Sequence, residues 1–303
     1  MTKTKCSFIG ILGAPNAGKS TLLNRVVGSK ISIVTPKVQT TRTRITGIAM
    51  EGEAQLIFVD TPGIFTPKKN LDKAMVKAAW QGVEGVDFSI LLVDSRKGIC
   101  PDTETILKGL THSKTPLILV LNKIDMIDRA KLIDLTQKLN DRLDFVQTFM
   151  ISALKGDGVK DLLSYLAKNA PEGQWMYPED QTSDIPIRML ASEVTREKLM
   201  LRMNKEIPYQ VMVETESFEE KKAKGKKPAC IDIHQVIYVT NDNYKKMIVG
   251  KGGQSIKNIG EMSRKELSWM FDVKVNLFLF VKVKENWLDS PDSYRIMGLD
   301  LIK

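Results

Sequence analysis

Histidine is nearly absent. Only His112 and His234 occur in 303 residues. They lie far apart in the chain, so neither a histidine metal pair nor a His-centred catalytic arrangement is expected. Cysteine is also scarce: Cys6, Cys100 and Cys230 are odd in number and widely spaced, with no zinc, redox or disulfide spacing among them, which suits a reducing cytosol. No apolar run approaches the ~20 residues that a membrane span needs; the longest, near Leu117 and Leu277, are of strand length. Met1-Thr2-Lys3-Thr4-Lys5 leads directly into a strand, and a secretory leader would have to consume the loop that follows, so none is expected. Acidic excess is missing too. The formal net charge is +9, and residues 221–265 alone carry 11 Lys/Arg against 3 Asp/Glu. A basic excess concentrated in this way points to a polyanionic partner. The length suggests two domains.

What is present begins with Gly13-Ala14-Pro15-Asn16-Ala17-Gly18-Lys19-Ser20. This stretch follows the apolar run Ser7–Leu12 and precedes a helical pattern from Thr21 to Val27. Strand, Gly-rich turn and helix form the context of a phosphate-cradling loop, in which backbone N–H groups and a helix N-terminus face the anion. Lys19 is expected to reach the β- and γ-phosphates and the Ser20 hydroxyl to ligate Mg²⁺. A stretch without periodicity, 28–42, offers Thr40 or Thr41 as a hydroxyl closing over the metal, with Thr41 preferred. A hairpin signal at 44–60 ends in Asp60-Thr61-Pro62-Gly63, where Asp60 suits a water-mediated Mg²⁺ contact and Gly63 can offer its N–H to the γ-phosphate.

Two further buried-strand runs, 88–93 and 117–121, follow, and the second ends in Asn122-Lys123-Ile124-Asp125. A carboxylate at Asp125 accepts two hydrogen bonds from the guanine edge, which adenine cannot supply. Asn122 and Lys123 would brace that loop and cover the base. A last strand, 145–151, leads to Ser152-Ala153-Leu154, where the Ala153 N–H is expected to meet the guanine O6. Motifs placed at the carboxyl ends of alternating strands imply a doubly wound, mostly parallel α/β domain with its ligand at the switch point. The set reads as a GTPase domain over residues 1–170. Position 64 holds Ile64, which cannot orient an attacking water as Gln does in many GTPases, so unaided hydrolysis is expected to be slow. The loop pattern is similar to that of GTPases in which the loop Asn helps to hold K⁺, making Asn16 the candidate for that role beside Lys19, Thr41 and Gly63.

Residues 171–185, rich in Pro, Gly and acids, read as a linker. Residues 186–303 then read helix (192–203), strand (209–216), strand (231–240), short helix (243–249), long helix (254–271) and strand (273–283). The two helices meet at Gly250-Lys251-Gly252-Gly253, a turn that lets single-stranded RNA approach the backbone closely. Lys245, Lys246, Lys251 and Lys257 supply phosphate partners, and Ile248, Ile256 and Ile259 are spaced to line a base groove. This order and the local charge imply an α+β type II KH RNA-binding domain. Met200–Met203 reads as core packing and Glu219–Lys227 as a solvated hairpin loop.

Together these motifs resemble the Era family of bacterial GTPases over nearly the whole chain. The resemblance is carried also by Gln39-Thr40-Thr41-Arg42, Tyr177-Pro178-Glu179-Asp180-Gln181, Arg196-Glu197-Lys198-Leu199 and Val281-Lys282-Val283-Lys284-Glu285-Asn286-Trp287. It implies a monomeric, GTP/GDP- and Mg²⁺-binding factor of small ribosomal subunit assembly that binds the 3′ end of 16S rRNA rather than DNA. It also implies a cytoplasmic location with peripheral association at the inner membrane, although no amphipathic anchor is evident. Leu154 departs from the Lys common in related GTPases; the guanine contact there is from backbone, so specificity is expected to survive. Two rival readings are an RNA-binding scaffold with a structural nucleotide site and a membrane-associated regulatory GTPase. Lys19, Ser20 and Asp60 together argue against the first, since a retained fold needs none of them. The second would want a lipidation site or amphipathic tail, which 298–303 does not show.

Overall fold

The computed structural model describes residues 4–203, 207–224 and 228–300 and separates into two compact units. Among the described residues, the first takes in 4–32, 41–184 and 298–300, and the second 33–40 and 185–297.

The first unit is built on a six-stranded sheet of order β2-β3-β1-β4-β5-β6. Its strands are β1 (Lys5–Leu12), β2 (Ile45–Glu51), β3 (Ala54–Asp60), β4 (Phe88–Asp94), β5 (Leu117–Asn122) and β6 (Gln147–Ile151). All neighbours are parallel except the β2–β3 hairpin. β3, β4 and β5 are buried along their full length, because helices cover both faces and alternation gives way to continuous apolar runs. Leu12, Leu91, Leu119 and Leu121 form one core with residues of α2 (Asn70–Gln81), α3 (Pro101–Leu110) and α4 (Arg129–Asn140). The helices α1 (Lys19–Val27) and α5 (Val159–Asn169) pack on β2 and β3. β1 lies between β3 and β4, so successive connections leave it in opposite directions. The crevice at its carboxyl end is the switch point of the sheet.

The Pro- and Gly-rich stretch 171–184 is held on this unit. Cys6 N–H donates to the Pro171 carbonyl at 3.1 Å, Gly173 N–H to Thr4 at 3.0 Å and Ile48 N–H to Thr182 at 2.9 Å. The buried Gln55 side chain accepts from the N–H groups of Met176 and Tyr177 and donates to the Tyr177 carbonyl. Composition here signalled irregular backbone; the free polar groups of edge strand β2 and of the chain start supply the partners that irregular backbone requires.

The second unit follows the helix–strand–strand–helix–helix–strand order expected from the sequence. It comprises α6 (Ile187–Arg202), β7 (Val211–Lys221), β8 (Cys230–Val239), α7 (Asp242–Val249), α8 (Gln254–Met270) and β9 (Lys274–Val283), followed by a short α9 (Pro291–Ile296). β8 is central, antiparallel to β7 and parallel to β9. α6 starts five residues before its expected position, directly after Pro186, whose φ of −58° already suits helix entry. β7 extends into the stretch read as a loop, pairing Glu219, Glu220 and Lys221 with β8; residues 225–227 of that stretch lie outside the described residues. Met200 and Met203 are buried as expected, while Leu201 is exposed. The segment 33–40 belongs to this unit. Its Val34 N–H donates to the Glu197 carboxylate at 2.9 Å, and the buried Arg196 guanidinium donates to the Thr40 carbonyl.

Candidate functional site

The phosphate loop leaves β1 and enters α1 through two left-handed residues, Asn16 (φ 63°) and Gly18 (φ 104°). A Cβ at Gly18 would collide with the Asn122 side-chain amide, so this glycine answers both to conformation and to a close approach. Lys19 is 6% exposed. Its ammonium donates back to the carbonyls of Gly13 (3.1 Å) and Ala14 (3.3 Å), closing the loop around itself. Burial lowers its pKa to about 8, with Asp60 pulling the other way. A phosphate at this point would restore the favourable partner that burial removes.

Ser20, Thr41 and Asp60 converge. The Ser20 hydroxyl donates to Asp60 Oδ2 at 2.7 Å and lies 2.8 Å from the Thr41 hydroxyl. Of the two threonines, Thr41 stands in this cluster, whereas the Thr40 hydroxyl meets Thr35 and the Lys37 carbonyl, each at 2.7 Å. Asp60 is fully buried, and its other oxygen, Oδ1, has no hydrogen-bond partner. Burial raises its pKa, against the pull of Lys19, Ser20 and Ser32. Two hydroxyls and a carboxylate with an unpartnered oxygen form an all-oxygen donor set that suits a hard cation such as Mg²⁺. Thr61 anchors the turn after β3 by donating to the Ile11 carbonyl at 2.8 Å. Gly63 approaches Pro15 so closely that a Cβ would lie 3.0 Å from its ring and backbone. Ile64 is fully buried in the core beneath the sheet's crevice, its N–H bonded to the Gly13 carbonyl at 3.2 Å.

On the base side, Asn122 holds three segments together. Its Nδ2 donates to the Ala17 carbonyl (2.8 Å), and its Oδ1 accepts from Lys123 N–H (2.8 Å) and Ala153 N–H (3.0 Å). The Ala153 N–H expected at the guanine O6 is therefore directed at Asn122 in this structure. Lys123, itself left-handed at φ 66°, donates to the Asn16 carbonyl at 2.6 Å. Asp125 is held below the usual carboxylate range by a hydrogen bond from Ser152 and by Lys155, 3.6 Å away. Two bracing residues escaped sequence reasoning. Asn24 binds the Ile31 and Ser32 backbone, and Arg25 donates to the carbonyls of Ala153 (3.1 Å) and Leu154. Both sit in the helical run after the loop, where nothing in the pattern marks a side chain that reaches a distant segment.

In the second unit, Gly250, Gly252 and Gly253 all take positive φ (72°, 59° and 76°) around Lys251. Open space surrounds Gly252 and Gly253, with no atom within 4 Å of where a Cβ would stand. Lys246, Lys251 and Lys257 are exposed and Lys245 is half-buried. The groove reading of the isoleucines needs correction: Ile248 and Ile259 are fully buried core residues, packed with Leu199, Val211 and Ile237. Only Ile256, partly buried at the edge of that cluster, is left to face a ligand. The helical spacing that suggested a groove was that of the core face.

Among the described residues no helix is long and apolar enough to cross a membrane. Comparison with known proteins agrees with the two-part architecture. Residues 8–123 match the family model described as 50S ribosome-binding GTPase, and residues 206–288 match the KH domain model. The chain is 53% identical over 300 residues to GTPase Era of Rhizobium meliloti (strain 1021), covering 99% of this chain and 94% of that protein. It is 50% identical to GTPase Era of Brucella suis biovar 1 (strain 1330), covering 99% and 94%. Among solved structures, an Aquifex aeolicus Era variant bound to GDP and AlF4⁻ superposes with a TM-score of 0.91 at 37% identity, covering 97% of this chain and 99% of that one. A crystal structure of Era in complex with MgGDPNP and nucleotides 1506–1542 of 16S ribosomal RNA matches with the same TM-score at 38% identity and the same coverage.

Proposed function

The chain belongs to the Era family of GTPases, and we propose that it hydrolyses GTP to GDP and phosphate while its nucleotide state governs how the KH unit holds the 3′ region of 16S rRNA in the assembling small ribosomal subunit. The observation that carries the nucleotide half is the convergence of Ser20, Thr41 and Asp60 beside the buried Lys19. In this reading Lys19 binds the β- and γ-phosphates, and the N–H groups of 13–21 and Gly63 wrap them. Ser20, Thr41 and Asp60 are the residues that would hold Mg²⁺. The metal, when bound, neutralises charge developing on the phosphates. Asp125 reads the guanine edge, Asn122 and Lys123 hold its loop, and Ser152 and Ala153 close the far side of the base. With Ile64 buried, backbone and Thr41 would be left to orient water, and Asn16 would help to hold a K⁺ supplying positive charge beside the phosphates.

The RNA half is supported by the open turn at Gly250–Gly253 with its exposed lysines and by the 38%-identical Era solved with 16S rRNA. Backbone placed close to a single strand, flanked by Lys245, Lys246, Lys251 and Lys257 and by Ile256, suits phosphates and stacked bases. The family resemblance also carries a monomer working in the cytoplasm, with membrane contact confined to the inner surface.

The test is GTP turnover with and without an oligonucleotide of the 16S rRNA 3′ end, in K⁺ and in Na⁺. Slow turnover that changes with RNA and falls in Na⁺ is expected. No turnover in either RNA condition would return the protein to the scaffold reading, and equal rates in the two salts would remove Asn16 from the mechanism.

A further inference from the structure

β4 ends in Asp94, which no nucleotide motif includes. Its side chain is 3% exposed, and four donors converge on it. Lys123 Nζ lies 2.7 Å from Oδ2, Arg96 Nη2 2.8 Å from the same oxygen, and Arg96 Nε and backbone N–H each 3.1 Å from Oδ1. In the sheet Asp94 is directly opposite Asn122, and the Ser95 N–H donates to the Asn122 carbonyl at 2.9 Å.

Resting on the guanine-nucleotide reading of the site, we propose that Asp94 is a positioning residue for nucleotide binding, acting through Lys123. Asp94 and the Asn16 carbonyl together fix the Lys123 ammonium. The aliphatic stem of Lys123 is thereby stretched between the end of β4 and the phosphate loop, where it can cover a base recognised by Asp125. A flexible lysine loses rotamer freedom when immobilised, and two fixed acceptors on the protein already hold this one, which lowers the ordering cost of binding. Burial opposes the Asp94 carboxylate, but the hydrogen bonds from Arg96 and Lys123 hold its pKa down at about 2. It therefore keeps its charge throughout the working range. Arg96 is the outer partner of Asp94, with a side chain 39% exposed. It serves as the control, because its loss leaves the Lys123 contact in place.

The experiment measures GDP and IDP affinity and saturated GTP turnover of the full chain. The variants are Asp94→Asn, Arg96→Gln, Lys123→Met and the double variant Asp94→Asn/Lys123→Met. Asp94→Asn is expected to weaken GDP about tenfold through faster release, with the GDP:IDP ratio and saturated turnover unchanged. It is expected to add nothing in the Lys123→Met background, and Arg96→Gln to stay within twofold of the parent. Three results would overturn the proposal: Asp94→Asn affinity within twofold, base discrimination lost along with affinity, or additive losses in the double variant. Should Asp94→Asn not fold, Asp94→Glu takes its place in the cycle. Failure of the unmodified chain to bind GDP would instead sink the nucleotide-site reading itself.

Discussion

The two glycine turns of this molecule are built by opposite means. In the loop after β1, a Cβ at Gly13 would stand 2.5 Å from the Leu92 carbonyl oxygen, and Lys19 is buried against loop carbonyls. In the turn between α7 and α8, Gly252 and Gly253 face open space and Lys251 is exposed. The first turn is enclosed, with its cation held by the loop's own carbonyls, so affinity there is expected to rest on single residues. The second offers backbone and loosely held charge to a long polyanion, so its affinity is spread over many weak contacts and falls with salt.

Replacing the most enclosed cation should therefore produce the largest effect. Lys19→Ala is expected to weaken GDP about 100-fold, the value of a charge-assisted contact made in a buried site, as read by titration with a fluorescent GDP. RNA affinity of the nucleotide-free variant should be unchanged; a comparable loss there would break the contrast. The open turn comes next. Gly252→Asp keeps a residue type that tolerates left-handed backbone, so the thermal midpoint should hold. The added side chain and negative charge should weaken the 16S 3′ oligonucleotide about 30-fold, roughly 2 kcal/mol. GDP affinity in the same preparation should not move, and a loss of both would make the second turn part of one coupled network.

The same contrast explains what could be read from the chain alone. Strand and helix positions were legible because β3, β4 and β5 each hold a run of four or more apolar residues and α8 follows its glycines with a clear period. The phosphate loop was legible because Gly18 and Lys19 do work that few other residues can do at that spacing. Asn24, Arg25 and Asp94 were not. Each acts by reaching a segment more than five residues away, and a polar residue in a helix or at a strand end carries no mark of such a reach. Ile248 and Ile259 misled for the converse reason: a core face and a ligand groove share one helical period, and only packing against Leu199 and Val211 tells them apart. The stretch 171–184 had a linker's composition, yet Thr4, the first residues of β1, the Gln55 side chain and edge strand β2 supply partners for its backbone.

The smallest effect separates the two turns by titration. Burial lowers the Lys19 pKa to about 8. Phosphate oxygens at the ammonium favour the charged form, so the bound pKa must lie higher. Nucleotide binding at a pH between those two values takes up a proton, and affinity falls as pH rises through that window, by up to tenfold per unit. Below about pH 7 the lysine is charged with or without ligand, and this contribution is flat. Between pH 7 and pH 9, GDP affinity should drop about tenfold, with proton uptake visible as a dependence of the calorimetric heat on buffer ionisation enthalpy. Lys19→Arg separates Lys19 from other groups, since a guanidinium stays charged across this range: whatever its absolute affinity, its pH dependence should be flat. The RNA turn has no fully buried cation among its lysines, and its affinity should change less over the same interval. A parallel fall in both arms would show that a shared change in the protein, rather than the enclosure of Lys19, governs the nucleotide loop.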